Sequence, residues 1–187
     1  MANTETTRED VVQLLLSQHR EAEQLFAEVE QAAGDARREP FERLVRLLAV
    51  HETAEEEVVY PAIRSSVEDG DQLADDRLAE ESEAKEALSD LEKTDIDDAA
   101  FGEKLQAVKQ LVLTHAGNEE RTIFPRLRGA QSQEQLESMA QAVRAAEAVA
   151  PTHPHPRGPE SALGNVVVGP FVGIADRVRD AIRGRNR

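Results

Sequence analysis

The chain carries one sequence pattern twice. Residues 51–63 read HETAEEEVVYPAI, and residues 115–127 read HAGNEERTIFPRL. Each copy has a His, Glu at the fourth and fifth positions after it, and then an aromatic residue directly followed by Pro. Because four residues turn a helix by about 400°, the His and the first Glu of each copy lie on one face. An imidazole and a carboxylate so placed can bind the same metal ion.

A third His and Glu with the same spacing, His19 and Glu23, lie near the start of the chain. A single pair of this kind is usually a solvated contact between neighbouring helical turns. Here three of the five His residues of the chain occupy the pattern. This concentration favours a metal site over solvated pairs.

The composition limits the classes of protein. The 187 residues carry a net charge of −15, which argues against the basic face that nucleic-acid binding usually needs. The absence of Cys excludes disulfides, Cys-zinc sites and iron–sulfur clusters. We find no apolar run that predicts a transmembrane segment and no signal-peptide pattern, and we therefore expect a cytoplasmic protein.

Capping residues and prolines predict five helices. The first begins near Thr6 and Thr7 and ends near Ala33 with Gly34 as its C-cap, and the second begins at Pro40 and bends or ends near Pro61. The others cover Asp71 to Glu92, a segment that begins at Asp95 to Asp98, and Ser132 to about Ala150. The predicted fold is all-α, an up-down-up-down four-helix bundle with an additional C-terminal helix and an extended tail. We assign residues 1–130 to the bundle, 131–150 to the additional helix and 151–187 to a Pro-rich strap and a short basic amphipathic helix.

The three His–Glu pairs interrupt the apolar stripes of their helices, where an unpaired charge is costly. Glu81 takes an inward position on the third helix, although a place at the border of the solvated face is the alternative. His153 and His155 in the strap are predicted to be surface residues. The basic helix at residues 176–187 is expected to fold back on the acidic bundle; the alternative is a weak contact with a partner or a membrane surface.

The doubled pattern resembles that of the hemerythrin-like (HHE cation-binding) family of bacterial type, over about residues 8–128. The resemblance implies a four-helix bundle with a non-heme di-iron centre, whose two ions an oxo or hydroxo group can bridge. Members bind oxygen, sense oxygen or iron, or react with peroxide or nitric oxide. Five residues match ligand positions, with Glu55 and Glu119 as the bridging carboxylates: His19, His51, Glu55, His115 and Glu119.

The third helix departs from the classical oxygen carriers, which have two His there. Arg77 and Glu81 stand at the matching positions, and a charged Arg cannot bind a cation. Glu81 and Glu23 can, and Glu52 is a further candidate. The predicted ligand set is therefore His19, Glu23, His51, Glu55, Glu81, His115 and Glu119.

A carboxylate-rich set favours hard ions such as Fe(III) or Mn, and it disfavours reversible oxygen carriage. We therefore expect a di-iron protein that binds or reacts with dioxygen, peroxide or nitric oxide in oxidative or nitrosative stress protection. A peroxide-decomposing, catalase-like activity or reaction with nitric oxide is the enzymatic form of this prediction. The alternatives are an oxygen or iron sensor or carrier without turnover, and a metal that only stabilises the fold.

Overall fold

A computed structural model of the protein describes residues 9–154, and all of its regular structure is helical. The α-helices are α1 (Val11–Gln31), α2 (Arg38–Ala54), α3 (Tyr60–Ser66), α4 (Gly70–Glu92), α5 (Phe101–Ala130) and α6 (Gln133–Glu147). A 3-10 turn (Gly34–Arg37) precedes α2, and a π-helical segment (Glu55–Val59) joins α2 to α3. The predicted all-α class is confirmed.

Four helical segments form the bundle. They are α1, then α2 continuing through the π-helical segment into α3, then α4, and finally α5. In the order of the chain they form the predicted up-down-up-down arrangement, with α4 against α5 and α1 against α2. Helix α6 packs outside these four segments, against α1, α2 and the π-helical segment. Met139 and Val143 of α6 are fully buried and join the same apolar cluster as Leu15 of α1.

Side-chain caps begin α1 and α6, and the helix ends differ in part from the sequence prediction. The side chain of Asp10, rather than Thr6 or Thr7, caps α1 and forms a capping box with Gln13; the two Thr lie outside the described residues. Ser132 forms the capping box that begins α6, as its sequence predicts. Helix α1 ends with Ala32 as its C-cap, so the prediction that Gly34 caps it is wrong; Gly34 instead begins the 3-10 turn, with φ of 56°.

The two copies of the doubled pattern differ in backbone. Pro61 lies in the first turn of α3, directly after the π-helical segment that begins at Glu55. Pro125 lies inside α5, which stays α-helical around it. Proline alone therefore does not account for the π turn, and the helix continues past Pro61 to Ser66. Such wide turns are frequent at functional sites.

The turn between α3 and α4 is tight, and the first residue of α4 is Gly70. A β-carbon at this position would lie 2.3 Å from the carbonyl oxygen of Ile63. Asp69, just before it, has a left-handed backbone with φ of 58°. The close approach fixes the start of α4, and with it the register of Glu81 against the other helices.

Buried residues form two apolar clusters, one at each end of the bundle. One contains Leu15, Ile123 and Leu127, and the other contains Phe26, Leu88 and Phe101. Along their helices, five of the predicted metal ligands fall between these clusters: His19, His51, Glu81, His115 and Glu119. The candidate site therefore occupies a polar layer in the middle of the bundle.

The C-terminal part is described only as far as residue 154. His153 is exposed, as predicted, and its Nδ1 lies 2.8 Å from Glu92 Oε1. His155, most of the Pro-rich strap and the predicted basic helix lie outside the described residues. Within residues 9–154, none of the helices has the length and apolar character needed to cross a bilayer.

Candidate metal centre

Three buried imidazoles converge in the polar layer from three different helices. His19, His51 and His115 come from α1, α2 and α5, and each is only 6% exposed. The rings of His19 and His51 meet edge to face, with centroids 5.1 Å apart. Phe124, the aromatic residue of the second motif copy, stacks on His19 at 5.6 Å. The bundle thus fixes the three rings in an interior that solvent hardly reaches.

Each imidazole is held through its Nδ1 atom by a side chain from another helix. The acceptor oxygens are Glu120 Oε1 for His19 at 2.9 Å, Gln18 Oε1 for His51 at 2.8 Å and Glu80 Oε2 for His115 at 3.1 Å. A ring that donates from Nδ1 keeps the lone pair of Nε2 free, which is the usual arrangement of a metal-binding His. The three Nε2 atoms therefore face the interior as potential ligands.

Three carboxylates complete the layer, and all are almost wholly shielded from solvent. Glu55 and Glu119 are 0% exposed and Glu81 is 1% exposed. Glu55 Oε2 lies 3.2 Å from His51 Nε2. Glu119 Oε2 lies between two rings, 3.4 Å from His19 Nε2 and 3.6 Å from His115 Nε2. Glu81 Oε1 is 3.8 Å from His115 Nε2.

Several of these buried atoms have no hydrogen-bond partner among residues 9–154. They are Nε2 of His19 and His115, both carboxylate oxygens of Glu55, and Oε2 of Glu119. An unsatisfied buried polar atom costs about 1–3 kcal/mol, and folded proteins rarely retain a group of them. Bound cations would satisfy these atoms, so the residues present fit a metal.

The possible ligand atoms fall into two groups that share one residue. His19, His51, Glu55 and Glu119 form the first group, and Glu55, Glu81 and His115 form the second. Within each group the atoms lie within 4.8 Å of one another. Nitrogen and carboxylate oxygen donors in this combination suit first-row transition metals. Two groups of potential ligand atoms therefore meet at Glu55.

Burial and mutual repulsion shift the pKa values of the carboxylates. Burial raises the pKa of Glu55 well above its usual range, and the charges of Glu119 and Glu81 add to this. Burial also raises the pKa of Glu81 well above the ordinary value, with Glu52 adding to the effect. For Glu119, burial opposes ionisation, but the neighbouring His115 and His19 lower its pKa to about 2. Two of the three carboxyls therefore favour the protonated form until a cation replaces the proton.

The imidazoles respond to the same surroundings. Burial, together with the charges of His19 and His115, lowers the pKa of His51 to about 3. For His19, burial lowers the pKa, but the carboxylates of Glu119 and Glu120 outweigh this and raise it overall. The neutral ring of His51 is the form that can bind a cation through nitrogen.

Tyr60 is a residue that the sequence reasoning did not assign to the site. It is the aromatic residue of the first motif copy, and its hydroxyl oxygen lies 2.5 Å from Glu81 Oε1 and 3.0 Å from Glu119 Oε1. Burial raises its pKa well above 10, with Glu119 and Glu81 adding to the shift. Tyr60 therefore supplies a neutral phenol beside two of the candidate ligands. Only its place in the doubled pattern signalled it.

Lys85 balances part of the negative charge next to the layer. Its Nζ lies 3.2 Å from Glu81 Oε2 and 3.7 Å from Glu52 Oε2, and it also bonds to Glu56. Burial raises the pKa of Glu52 to about 7, although Lys85 opposes the shift. Glu52 is thus buried as an ion-pair partner of Lys85 and lies outside both ligand groups.

The structure does not bring Glu23 to the cluster. It is exposed on the surface of α1, so the prediction that it lies in the apolar stripe is wrong. The buried side of α1 passes through Ala22 and Phe26, and position 23 lies about 40° beyond His19, away from these residues. The inferred ligand set loses this carboxylate.

Arg77 acts through a neighbour instead of contacting the cluster. Its guanidinium donates to Glu80 Oε1 at 2.7 Å and to Thr122 Oγ1 at 3.2 Å. Glu80 also accepts from Asn118 at 2.6 Å, and its other oxygen faces His115 Nδ1. Arg77 therefore holds the carboxylate that orients His115.

A small cavity reaches the imidazoles from one side. Its volume is about 20 Å³, and its lining includes the three His together with Ala22, Leu48 and Val112. A cavity of this size holds one molecule as small as water. Its mainly apolar lining suits a small uncharged ligand.

Comparison with known proteins places this geometry in a family. The model of the hemerythrin HHE cation binding domain matches residues 10–127. A DNA nickase of Nostoc sp. is 30% identical over 140 residues, which are 74% of this chain and 38% of the nickase. An uncharacterized hemerythrin-like protein of Schizosaccharomyces pombe is 29% identical over 134 residues, 71% of this chain and 66% of that protein. The chain thus spans less than two thirds of the length of each of these relatives.

A solved structure shows the same fold. The crystal structure of a hemerythrin HHE cation-binding domain-containing protein from Mycobacterium kansasii superposes with a TM-score of 0.67 at 20% identity. The match covers 90% of this chain and 98% of the other. The family model matches most of the bundle, and the bundle contains the buried groups of His and Glu. The chain therefore belongs to the hemerythrin HHE cation-binding domain family.

Proposed function

We propose that the protein is a non-heme di-iron protein that binds or reacts with dioxygen, peroxide or nitric oxide, in protection against oxidative or nitrosative stress. One observation carries the proposal. Five buried atoms have no hydrogen-bond partner in the described part of the chain, and the residues that carry them lie in two groups of potential ligands that share Glu55. A pair of ions is the occupant that satisfies both groups together.

The residues that would hold the ions follow from these groups. His19 and His51 would hold one ion, and His115 and Glu81 the other. Glu55 would be common to both, and Glu119, whose Oε2 lies between His19 and His115, would be the second bridging carboxylate. Iron bound there would supply the electron-transfer chemistry, while the protein supplies orientation and a water-poor environment.

The balance of donors favours reactive chemistry over oxygen carriage. Without Glu23 the set contains three imidazoles and three carboxylates, Glu55, Glu81 and Glu119. Carboxylates are hard anionic donors that stabilise Fe(III), and they also suit Mn. A site that favours the oxidised ion is poorly suited to reversible oxygen binding, which needs a stable reduced form. We therefore place peroxide or nitric oxide ahead of dioxygen as the reacting ligand.

The groups around the cluster are placed to assist a small ligand. The cavity of about 20 Å³ opens onto the three imidazoles. On another side of the cluster, the Tyr60 hydroxyl donates a hydrogen bond to Glu81 Oε1, with 2.5 Å between the two oxygens. The chain therefore combines an apolar approach to the imidazoles with a proton held close to the ligand carboxylates.

A peroxide assay on iron-loaded protein tests the proposal. We expect iron-dependent loss of hydrogen peroxide in large excess over protein, and loss of this activity in Glu55→Gln. The matched control is Glu86→Gln, a change on the exposed side of α4, which should retain the activity. Consumption of no more than one equivalent of peroxide or nitric oxide per site would refute turnover. A spectrum that reverses on removal of oxygen would instead support the sensor or carrier alternative.

The Nostoc relative suggests DNA as another substrate. Its name refers to a protein of which this chain spans 38%. The net charge of −15 disfavours binding to a phosphate backbone. We propose that nicking does not belong to this chain, and metal-dependent relaxation of supercoiled plasmid by the purified protein would contradict this.

A further inference from the structure

A chain of hydrogen bonds runs from the C-terminal helix to one of the candidate ligands. Glu147 is the last residue of α6, and its Oε1 accepts a hydrogen bond from the side-chain Nε2 of Gln18 on α1. The other end of the same amide, Gln18 Oε1, lies 2.8 Å from His51 Nδ1. The far nitrogen of that ring, Nε2, faces Glu55 at 3.2 Å.

Glu147 determines which way the Gln18 amide points. A carboxylate only accepts hydrogen bonds, whereas an amide donates from nitrogen and accepts at oxygen. The amide nitrogen must therefore face Glu147, which leaves the oxygen for His51. An oxygen at that place requires the proton of the neutral ring to be on Nδ1, so the lone pair of Nε2 points into the cluster.

His51 differs in this respect from the other two candidate imidazoles. The Nδ1 atoms of His19 and His115 face the carboxylates of Glu120 and Glu80, which can only accept when ionised. His51 instead faces a neutral amide, which could present either its oxygen or its nitrogen. Its tautomer therefore depends on whatever holds the far end of Gln18, and that group belongs to α6.

Helix α6 is well anchored for such a role. Leu136, Met139 and Val143 are buried against the bundle, and a capping box fixes the start of the helix. Glu147 itself is only partly buried, at the point where α6 ends. Displacement of this end from α1 would release the Gln18 amide while leaving the bundle core in place.

We propose that Glu147 is a positioning residue for the metal centre, which holds His51 in its metal-binding tautomer through Gln18. The inference rests on the proposed metal site, and it adds that the docking of α6 sets the metal affinity. The competing interpretation is that Glu147 only fastens α6 to α1.

The test replaces the hydrogen-bond acceptor at position 147 by a donor. In Glu147→Lys the new ammonium donates hydrogen bonds and cannot accept them, so the Gln18 oxygen turns toward it and the amide nitrogen turns toward His51. The expected result is a shift of the His51 proton from Nδ1 to Nε2, measured by nitrogen-15 NMR of the metal-free protein. Affinity for Fe(II), titrated without oxygen, should fall about 10–100-fold, as for other changes in groups that orient a ligand.

A second substitution provides the rescue. Adding Gln18→Glu to Glu147→Lys places a carboxylate next to His51 Nδ1, as at the other two imidazoles, and should restore both the tautomer and the affinity. Glu137→Lys is the control, because Glu137 lies on α6 and accepts only from Gln133 of the same helix in the described contacts. It should change neither measurement.

The outcomes separate the two interpretations. If Glu147→Lys keeps the Nδ1 proton, or if its affinity matches that of Glu137→Lys, the proposal is wrong and Glu147 is only a fastening contact. Failure of the double variant to restore the tautomer would also overturn it. The NMR measurement needs no metal, so it tests the contacts from Glu147 through Gln18 to His51 even if the wild-type protein binds no iron. Absence of iron binding would overturn the proposed function instead.

Discussion

Replacing Glu81 by Gln should have opposite effects on the metal-free and metal-loaded protein. Glu81 is 1% exposed, and burial, reinforced by Glu52, raises its pKa well above the usual range. A neutral amide removes the cost of an ionised group there and can still accept from Tyr60. Lys85 keeps its contacts with Glu52 and Glu56. The metal-free variant should therefore be as stable as the wild type or more stable by about 1 kcal/mol.

The metal-loaded variant should lose stability because it lacks one ligand. At a metal concentration of about 100 times Kd, binding stabilises the wild type by about 2.7 kcal/mol. If the loss of Glu81 weakens binding about 100-fold, the same concentration contributes only about 0.4 kcal/mol. For a chain of this length about 1 kcal/mol changes Tm by about 2–4 °C. The metal-induced rise in Tm should thus fall from about 5–11 °C to about 1–2 °C.

Thermal unfolding of both proteins, with chelator and with Fe(II) or Mn(II), measures these changes. Glu86→Gln is the matched control, since Glu86 lies on the exposed side of the same helix. It should reproduce the wild-type rise in Tm. Equal destabilisation of the metal-free and metal-loaded forms by Glu81→Gln would refute the reasoning, because an ordinary buried residue behaves that way.

Three further changes test neighbouring parts of the account. Lys85→Met should destabilise the metal-free protein by about 3 kcal/mol in urea unfolding, because it leaves Glu81 and Glu52 buried without their cationic partner. The control is Lys93→Met at an exposed position, which should change the free energy of unfolding little. Since Glu55 and Glu81 have raised pKa values, they must lose protons to bind a cation, and metal affinity should therefore rise with pH. Calorimetry in two buffers should detect the released protons, and a metal affinity independent of pH would contradict this. Glu23→Ala should titrate with Fe(II) like the wild type, because Glu23 is exposed; loss of an ion would restore Glu23 to the ligand set.

The doubled pattern predicted the part of the site that depends on helical geometry. His51 with Glu55 and His115 with Glu119 lie one turn apart, and the period of the helix alone brings each pair to the interior. The inward position of Glu81 followed from the apolar stripe of its helix. The four-helix bundle followed from the amphipathic segments and their short connections.

Other features depend on contacts that one helix cannot reveal. Glu23 has the same spacing from His19 as the two pairs of the doubled pattern. A residue about 40° to one side of a His on a helix is buried or exposed according to how the neighbouring helices cover it. The Nδ1 partners of the imidazoles come from other helices, as with Glu80 of α4 and His115 of α5. The π-helical segment at Glu55 has no counterpart in the second copy of the pattern. Such features require the assembled bundle.

Counting the metal ions tests the central claim most directly. The protein should be purified without added metal, loaded anaerobically with Fe(II), freed of excess iron and analysed for metal and protein together. The two ligand groups that share Glu55 predict about two ions per chain, and about one or fewer in Glu55→Gln. One ion or none per correctly folded wild-type chain after loading would contradict the dinuclear centre.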